Sequence, residues 1–214
     1  SDDWWTVDKL QYCFDNINAN VDFIYHGLDI VSDHSLIFRR KTVKSWQLKK
    51  PVLIDLLLNG NPIATSSVVV RKIFLESIGG INEDQKIIPI DDYNTWLRIS
   101  QLTDKFLYLP SRLGFYLNHN QSMSKVDISK PYIEAINEFV DPLNVQQLRV
   151  IKSNAAYISG RYYYGKKEYK VAFSKLLRSV IGGKSLVVMR AFLFLIIIMC
   201  KQLKHLIPFR KRFF

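Results

Sequence analysis

The sequence of 214 residues predicts an α/β fold followed by an all-α basic tail, on three observations. Runs rich in β-branched and aromatic residues alternate with helically spaced apolar positions over residues 1–125. From residue 145 onward the spacing is helical throughout. Charge divides along the same line: residues 1–150 carry 16 Lys and Arg against 18 Asp and Glu, whereas residues 151–214 carry 14 against one. A near-neutral front and a basic, apolar end fit an enzyme tethered to an anionic membrane. They do not present the polar basic stripe of a duplex binder, so nucleic acid is not an expected partner. With 48% apolar and 23% charged residues the chain can bury a core and is not disordered. Cys13 and Cys200 lie far apart without framework spacing, which argues against disulfides and zinc and fits a reducing compartment.

The elements follow in order. Residues 6–18 have helical spacing through Val7, Leu10, Phe14 and Ile17. Residues 22–30 (DFIYHGLDI) and 35–38 read as short strands or a hairpin around Ser32-Asp33-His34. Pro51 opens a helix through VLIDLLLNG that Asn59-Gly60 ends. The β-branched run ATSSVVV (64–70) predicts a strand, and Arg71 to Leu75 a short helix stopped by Gly79-Gly80. Asp91-Asp92 stands at the start of a helix whose Tyr93, Trp96, Leu97 and Ser100 share a face, where free backbone N–H groups favour negative charge. Residues 106–109 and 113–117 predict two strands joined through Pro110-Ser111-Arg112, leading to His119.

The catalytic unit is expected over residues 1–125, a linker over 126–144, and a helical hairpin, weakly like a tetratricopeptide repeat, over 145–182. An apolar-basic membrane-associating segment follows over 183–214. Its longest uninterrupted apolar run, Ala191 to Cys200, is ten residues, shorter than a bilayer crossing needs, and interleaved basic and aromatic residues suit an interfacial or re-entrant helix. The bland reading is a basic helical domain whose charge keeps it soluble. No signal segment opens the sequence: Ser1-Asp2-Asp3 leads straight into Trp4-Trp5, as at a cut edge.

Three polar clusters carry chemistry: Asp2-Asp3 beside Trp4, Asp91-Asp92 near Trp96, and His119. Carboxylates and an imidazole can hold a hard divalent ion against a diphosphate, and a separate carboxylate can take a proton from a hydroxyl. Each alone also has a structural explanation, as a helix cap, a surface histidine or a solvated chain end.

Four stretches in order resemble the family-2 glycosyltransferases. Ser1-Asp2-Asp3-Trp4 resembles the end of their Asp-Ser-Asp-Asp-x-Trp element, and NPIATSSVVVRKIFLESIGGINED their acceptor-side strand, helix and Gly-Gly turn. DDYNTWLRIS resembles their Glu-Asp-x-x-x-Trp-x-Arg helix start, with Asp91 in place of Glu, and LGFYLNHNQS the closing segment that carries a histidine. The resemblance spans residues 1–122 and implies the carboxy-terminal part of a GT-A nucleotide-sugar-binding fold with a mixed sheet, its amino-terminal donor-binding half preceding Ser1. It implies Mn²⁺ or Mg²⁺ at Asp2 and His119, with Asp3 beside the nucleotide diphosphate sugar. It further implies Asp92 as catalytic base flanked by Asp91, and Trp4, Thr65, Ser66 and Ser67 bordering the acceptor. The implied activity is inverting, hexosyltransferase-like transfer to a glycan or lipid-linked acceptor in bacterial surface polysaccharide synthesis. The expected location is the cytoplasmic face of the membrane, with an anionic bilayer as the partner of the tail. A non-catalytic membrane- or protein-binding scaffold derived from such a domain is the rival expectation.

Overall fold

The computed structural model describes residues 2–31, 41–117 and 126–206, with side chains to residue 202. It is an α/β protein with a mixed sheet and several helices. The chain forms two compact units, one of residues 1–125 with 134–136, the other of 126–133 with 137–214.

The first unit is organised around two parallel strands, β2 (Phe23–Val31) and β5 (Phe106–Leu117). Strand β2 is buried along Phe23, Ile24, Tyr25, His26 and Leu28, which explains its nearly continuous apolar sequence, because a strand covered on both faces has no polar side. Three short strands pair antiparallel around them: β1 (Trp4–Trp5) on the outer side of β5, and β3 (Lys41–Thr42) and β4 (Val69–Val70) on β2. Residues 106–117 form one strand rather than two, and Pro110-Ser111-Arg112 becomes the place where register against β2 shifts between His26 and Asp29. The expected strand at 64–70 is mostly a 3₁₀ turn over Thr65–Ser67, leaving only Val69–Val70 to pair. Its β-branched composition is outweighed by the Ser67 hydroxyl, which donates back to the Ala64 carbonyl at 2.7 Å and closes the turn. Residues 35–38 lie outside the described residues.

Parallel strands need a crossover, and here it runs through α2 (Val52–Asn59), α3 (Lys72–Ser77) and α4 (Asp91–Ser100). Asp104 Oδ1 accepts the Val52 N–H at 2.7 Å at the start of α2, and Gly60 at φ 86° ends it. Helix α4 sinks Tyr93, Trp96, Leu97 and Ile99 into the core, where Trp96 meets Phe23 edge-on at 5.1 Å and Phe23 stacks on Phe106 at 4.3 Å. Helix α1 (Lys9–Asn16) is turned against its sequence pattern: it buries Lys9 and Cys13, while Val7, Leu10 and Phe14 of the predicted stripe stay exposed. Leu10 and Phe14, with Cys13, Ile17 and Val69, line an open apolar groove along α1.

In the second unit, α6 (Val145–Gly165) begins at a capping box in which Asn144 and Gln147 exchange side-chain and backbone bonds at 2.9 Å. It pairs with α7 (Tyr169–Val180), and α8 (Ser185–Leu206) lies on both. The remaining helix, α5 (Ser129–Ile136), falls within the expected linker yet buries Tyr132, Ala135 and Ile136. Helix α8 runs 22 residues, and its segment 185–202 is long and apolar enough to cross a bilayer, with mean hydropathy 1.9. The uninterrupted apolar run of ten residues is thus part of a longer helix that also includes Arg190.

Helices α6 and α7 approach closely at Gly160, where an added Cβ would stand 2.7 Å from Leu176 Cγ and 3.1 Å from its backbone nitrogen. Replacing glycine inside a helix normally stabilises by up to about 1 kcal/mol, but overpacking costs about 1–3 kcal/mol. Gly160→Ala is therefore expected to lower the stability of this unit in denaturant titration. Gly165→Ala, with nothing within 4 Å of its Cβ, is expected to leave it unchanged or raise it slightly.

Candidate active site

The first residues of the chain are held along β5. Trp4 pairs with Phe115 and Trp5 with Gly114, the Thr6 N–H reaches the Leu113 carbonyl at 3.1 Å, and the Leu117 N–H donates to Asp3 Oδ1 at 3.1 Å. Gly114 is needed for this approach, since a Cβ there would lie 3.0 Å from the Trp4 carbonyl oxygen and from Leu28 Cδ2. Trp4 stacks on Phe115 at 5.2 Å, and Asp2 is exposed beside it.

From this edge the chain reaches across to the Thr65–Ser67 turn. The Ser66 carbonyl accepts two hydrogen bonds, from the Trp5 indole at 2.8 Å and from Lys9 Nζ at 2.9 Å, and Lys9 also sits 3.6 Å over the Trp5 ring. Lys9 is fully buried, and that burial lowers its ammonium to about 8, with a smaller opposing influence from Cys13.

Held in this way, the turn presents Thr65 to α4. The Thr65 hydroxyl donates to Asp92 Oδ2 at 2.7 Å, while Asp92 Oδ1 accepts the Tyr93 N–H at 2.6 Å. The Asp92 carboxyl is pushed up from its ordinary value, chiefly by burial and further by the neighbouring Asp91, against the lowering effect of these two donors. Asp92 is thus a carboxylate with raised proton affinity, fixed at both oxygens, at a helix start. Such a carboxylate is suited to proton transfer as well as to a helix start.

Helix α4 is itself well anchored. The Tyr93 hydroxyl donates to the Leu56 carbonyl at 2.9 Å and Asn94 Nδ2 to the Ala135 carbonyl at 2.8 Å. Arg98 donates to the Gly80 carbonyl at 3.1 Å and to the Ile78 carbonyl, tying α4 to the Gly-Gly turn, where Gly79 and Gly80 take positive φ of 74° and 82°.

The site residues named from sequence divide accordingly. Asp92, Thr65 and Ser66 are brought into one hydrogen-bonded path, with Asp91 half-buried next to Asp92. Ser67 is fully buried and closes its own turn, so its side chain does not border an acceptor as expected. Trp4 is half-exposed on the sheet edge, and Asp3 spends one oxygen on Leu117. His119 lies outside the described residues. Among the described residues no three His, Cys, Asp or Glu side chains converge to hold a metal ion. Adjacent Asp2 and Asp3 nonetheless supply the hard oxygen donors that Mn²⁺ and Mg²⁺ take.

Two residues were not legible in advance. Lys9 stands in sequence between Asp8 and Leu10 with nothing to mark it, and only its reach to Ser66 reveals a structural role. His26 sits in the middle of β2, fully buried, with Nδ1 2.9 Å from the Gly27 carbonyl and Nε2 lacking a partner. Burial lowers it to about 4, despite the Gly27 contact, and Lys9 lowers it further.

No protein-family model matches the chain, and neither the curated proteins nor the solved structures contain a match to it.

Because the folded state disfavours the Lys9 proton, the unfolded chain binds more protons between about 8 and the ordinary lysine value of about 10.4. This contribution to stability is therefore expected to rise with pH across that window and to be absent in Lys9→Met, as read from denaturant midpoints of the two proteins. Thr65→Val removes a donor from Asp92 and is expected to move the carboxyl still higher, seen as a later midpoint for Asp92 in a ¹³C NMR titration.

Proposed function

We propose that this site catalyses transfer of a sugar from a nucleotide diphosphate sugar to a hydroxyl of a glycan or lipid-linked acceptor, with inversion, in bacterial surface polysaccharide synthesis. One observation carries the reading. The two stretches whose motifs resemble the acceptor side and the catalytic-base helix of family-2 glycosyltransferases meet in the bond of 2.7 Å between Thr65 and Asp92. Nothing in local sequence requires residues 27 positions apart to touch, and their meeting puts the acceptor-side turn beside the carboxylate that the resemblance assigns as base.

Asp92 accepts the proton of the acceptor hydroxyl as its oxygen bonds to the anomeric carbon. The bond from that carbon to the diphosphate oxygen breaks, and its electron pair departs with the nucleoside diphosphate. Burial of Asp92 raises its proton affinity, and the donors from Thr65 and Tyr93 act in the opposite direction, toward the ionised form that accepts a proton. Mn²⁺ or Mg²⁺ bound in part by Asp2 would offset diphosphate charge. The Trp5 and Lys9 bonds to Ser66 tie the acceptor-side turn to β1, the strand that follows Asp2 and Asp3. Trp4, half-exposed and stacked on Phe115, offers a ring face to a sugar.

The test is transfer and hydrolysis from a panel of nucleotide sugars with Mn²⁺, in the full-length protein as its gene encodes it. Asp92→Asn keeps the size and loses the proton acceptor, and is expected to lower kcat by about 10²–10⁴ while leaving donor binding intact. Retention of full turnover by Asp92→Asn, or failure of the folded protein to bind any donor, would overturn the assignment.

A further inference from the structure

Helix α8 has two apolar faces. Ala191, Leu195 and Ile198 are buried against Ala172 and Leu176 of α7. The opposite face bears Leu186, Met189, Leu193, Ile196, Ile197 and Cys200, all exposed, and over the described side chains, to residue 202, no charged residue. A helix that packs on its neighbours through one side and shows water only aliphatic and sulfur side chains on the other is not finished as a water-soluble element.

We infer that α8 lies in the plane of an anionic bilayer, its Leu186–Leu193–Cys200 face immersed at the headgroup boundary, and does not cross it. Two observations choose this occupant and this pose. The carboxy-terminal part of the chain is strongly cationic: residues 151–214 hold 14 Lys and Arg and one acid, the complement of an anionic lipid surface over a hydrocarbon layer. The inner face of α8 is also committed to α7 and α6, so a crossing would carry those helices into hydrocarbon together with exposed Arg161, Lys166, Lys167, Lys170 and Arg178. Lying flat costs none of these charges their water. The end of the apolar run is marked by Lys201, whose amine donates to the Tyr164 hydroxyl at 3.1 Å and the Tyr169 hydroxyl at 3.3 Å at the α6–α7 corner. Lysine over tyrosine rings is suited to the water–lipid boundary. The inference stands on this unit alone and is independent of the sugar-transfer reading.

The test uses the whole chain and vesicles of phosphatidylcholine with or without phosphatidylglycerol. Pelleting is expected with the anionic vesicles, at least tenfold weaker on pure phosphatidylcholine, and lost in Leu193→Glu/Ile197→Glu, whose exposed positions leave the helical circular dichroism unchanged. Pose is read from nitroxide labels at Cys200 and, in a Cys200→Ser background, at Leu186→Cys or Leu193→Cys; Cys13 is buried and stays unlabelled. These positions span fourteen residues, about 21 Å along a helix. An in-plane helix places all three labels at one shallow depth, within about 10 Å of the headgroups. A deep label at 193 between shallow ones at 186 and 200 means a crossing and overturns the inference. Binding indifferent to anionic lipid, absence of binding, or self-association of the chain through this face with no vesicle pelleting overturns it equally.

Discussion

The parallel pairing of β2 with β5 is the constraint on which the first unit depends. Two parallel strands cannot be joined by a turn, so the 74 residues between Val31 and Phe106 must leave the sheet and return. On that excursion the chain lays down α2, the Thr65–Ser67 turn, α3 and α4, each against the pair it will eventually close. Stacking of Phe23 on Phe106 with Trp96 edge-on ties the start of both strands to α4. The position of Asp92 is thus set by sheet topology before any local preference acts on it.

The same pairing makes β5 long enough to serve two partners. Its first half runs beside β2 from Phe106, and its second half receives β1 on its other side, so that the chain start is brought to the sheet edge. From there Trp5 and Lys9 span the remaining distance to Ser66, and the Ser66 carbonyl becomes the joint between the chain segment at β1 and the turn that carries Thr65. Burying a lysine is costly, and its lowered proton affinity records that cost. Two donors on one carbonyl, and a cation over an indole, are what offset it.

At Asp92 two physical effects compete. A helix start favours negative charge by about 0.3–1 kcal/mol, and donors from Thr65 and Tyr93 act in the same direction. Burial opposes them, and the upward displacement of the carboxyl shows that burial prevails. The second unit poses a different problem: three helices supply one shared interior, and α8 is apolar on more of its surface than that interior can cover.

Much of this was legible because the signals are local. Pro51 and Asn59-Gly60 bound α2, Gly79-Gly80 stops α3, and the apolar spacing after Asp91-Asp92 predicts the buried face of α4, since capping, positive φ and 3.6-residue periodicity act over a few residues. The α6–α7 hairpin is readable on the same grounds. Other features depended on partners distant in sequence. Residues 64–70 carry strand-forming side chains but close into a turn, and α1 rotates Lys9 and Cys13 inward in place of Val7, Leu10 and Phe14. A short helix takes the rotation that its tertiary hydrogen bonds select, and Lys9 finds its acceptor 57 positions away. By itself the sequence determined the candidate residues, the division of charge and most helix limits. Which of those residues touch, which face of α1 and α8 is covered, and how tightly Asp92 is held were decided only by the packing of elements far apart in the chain, because contact and desolvation are properties of the assembled fold.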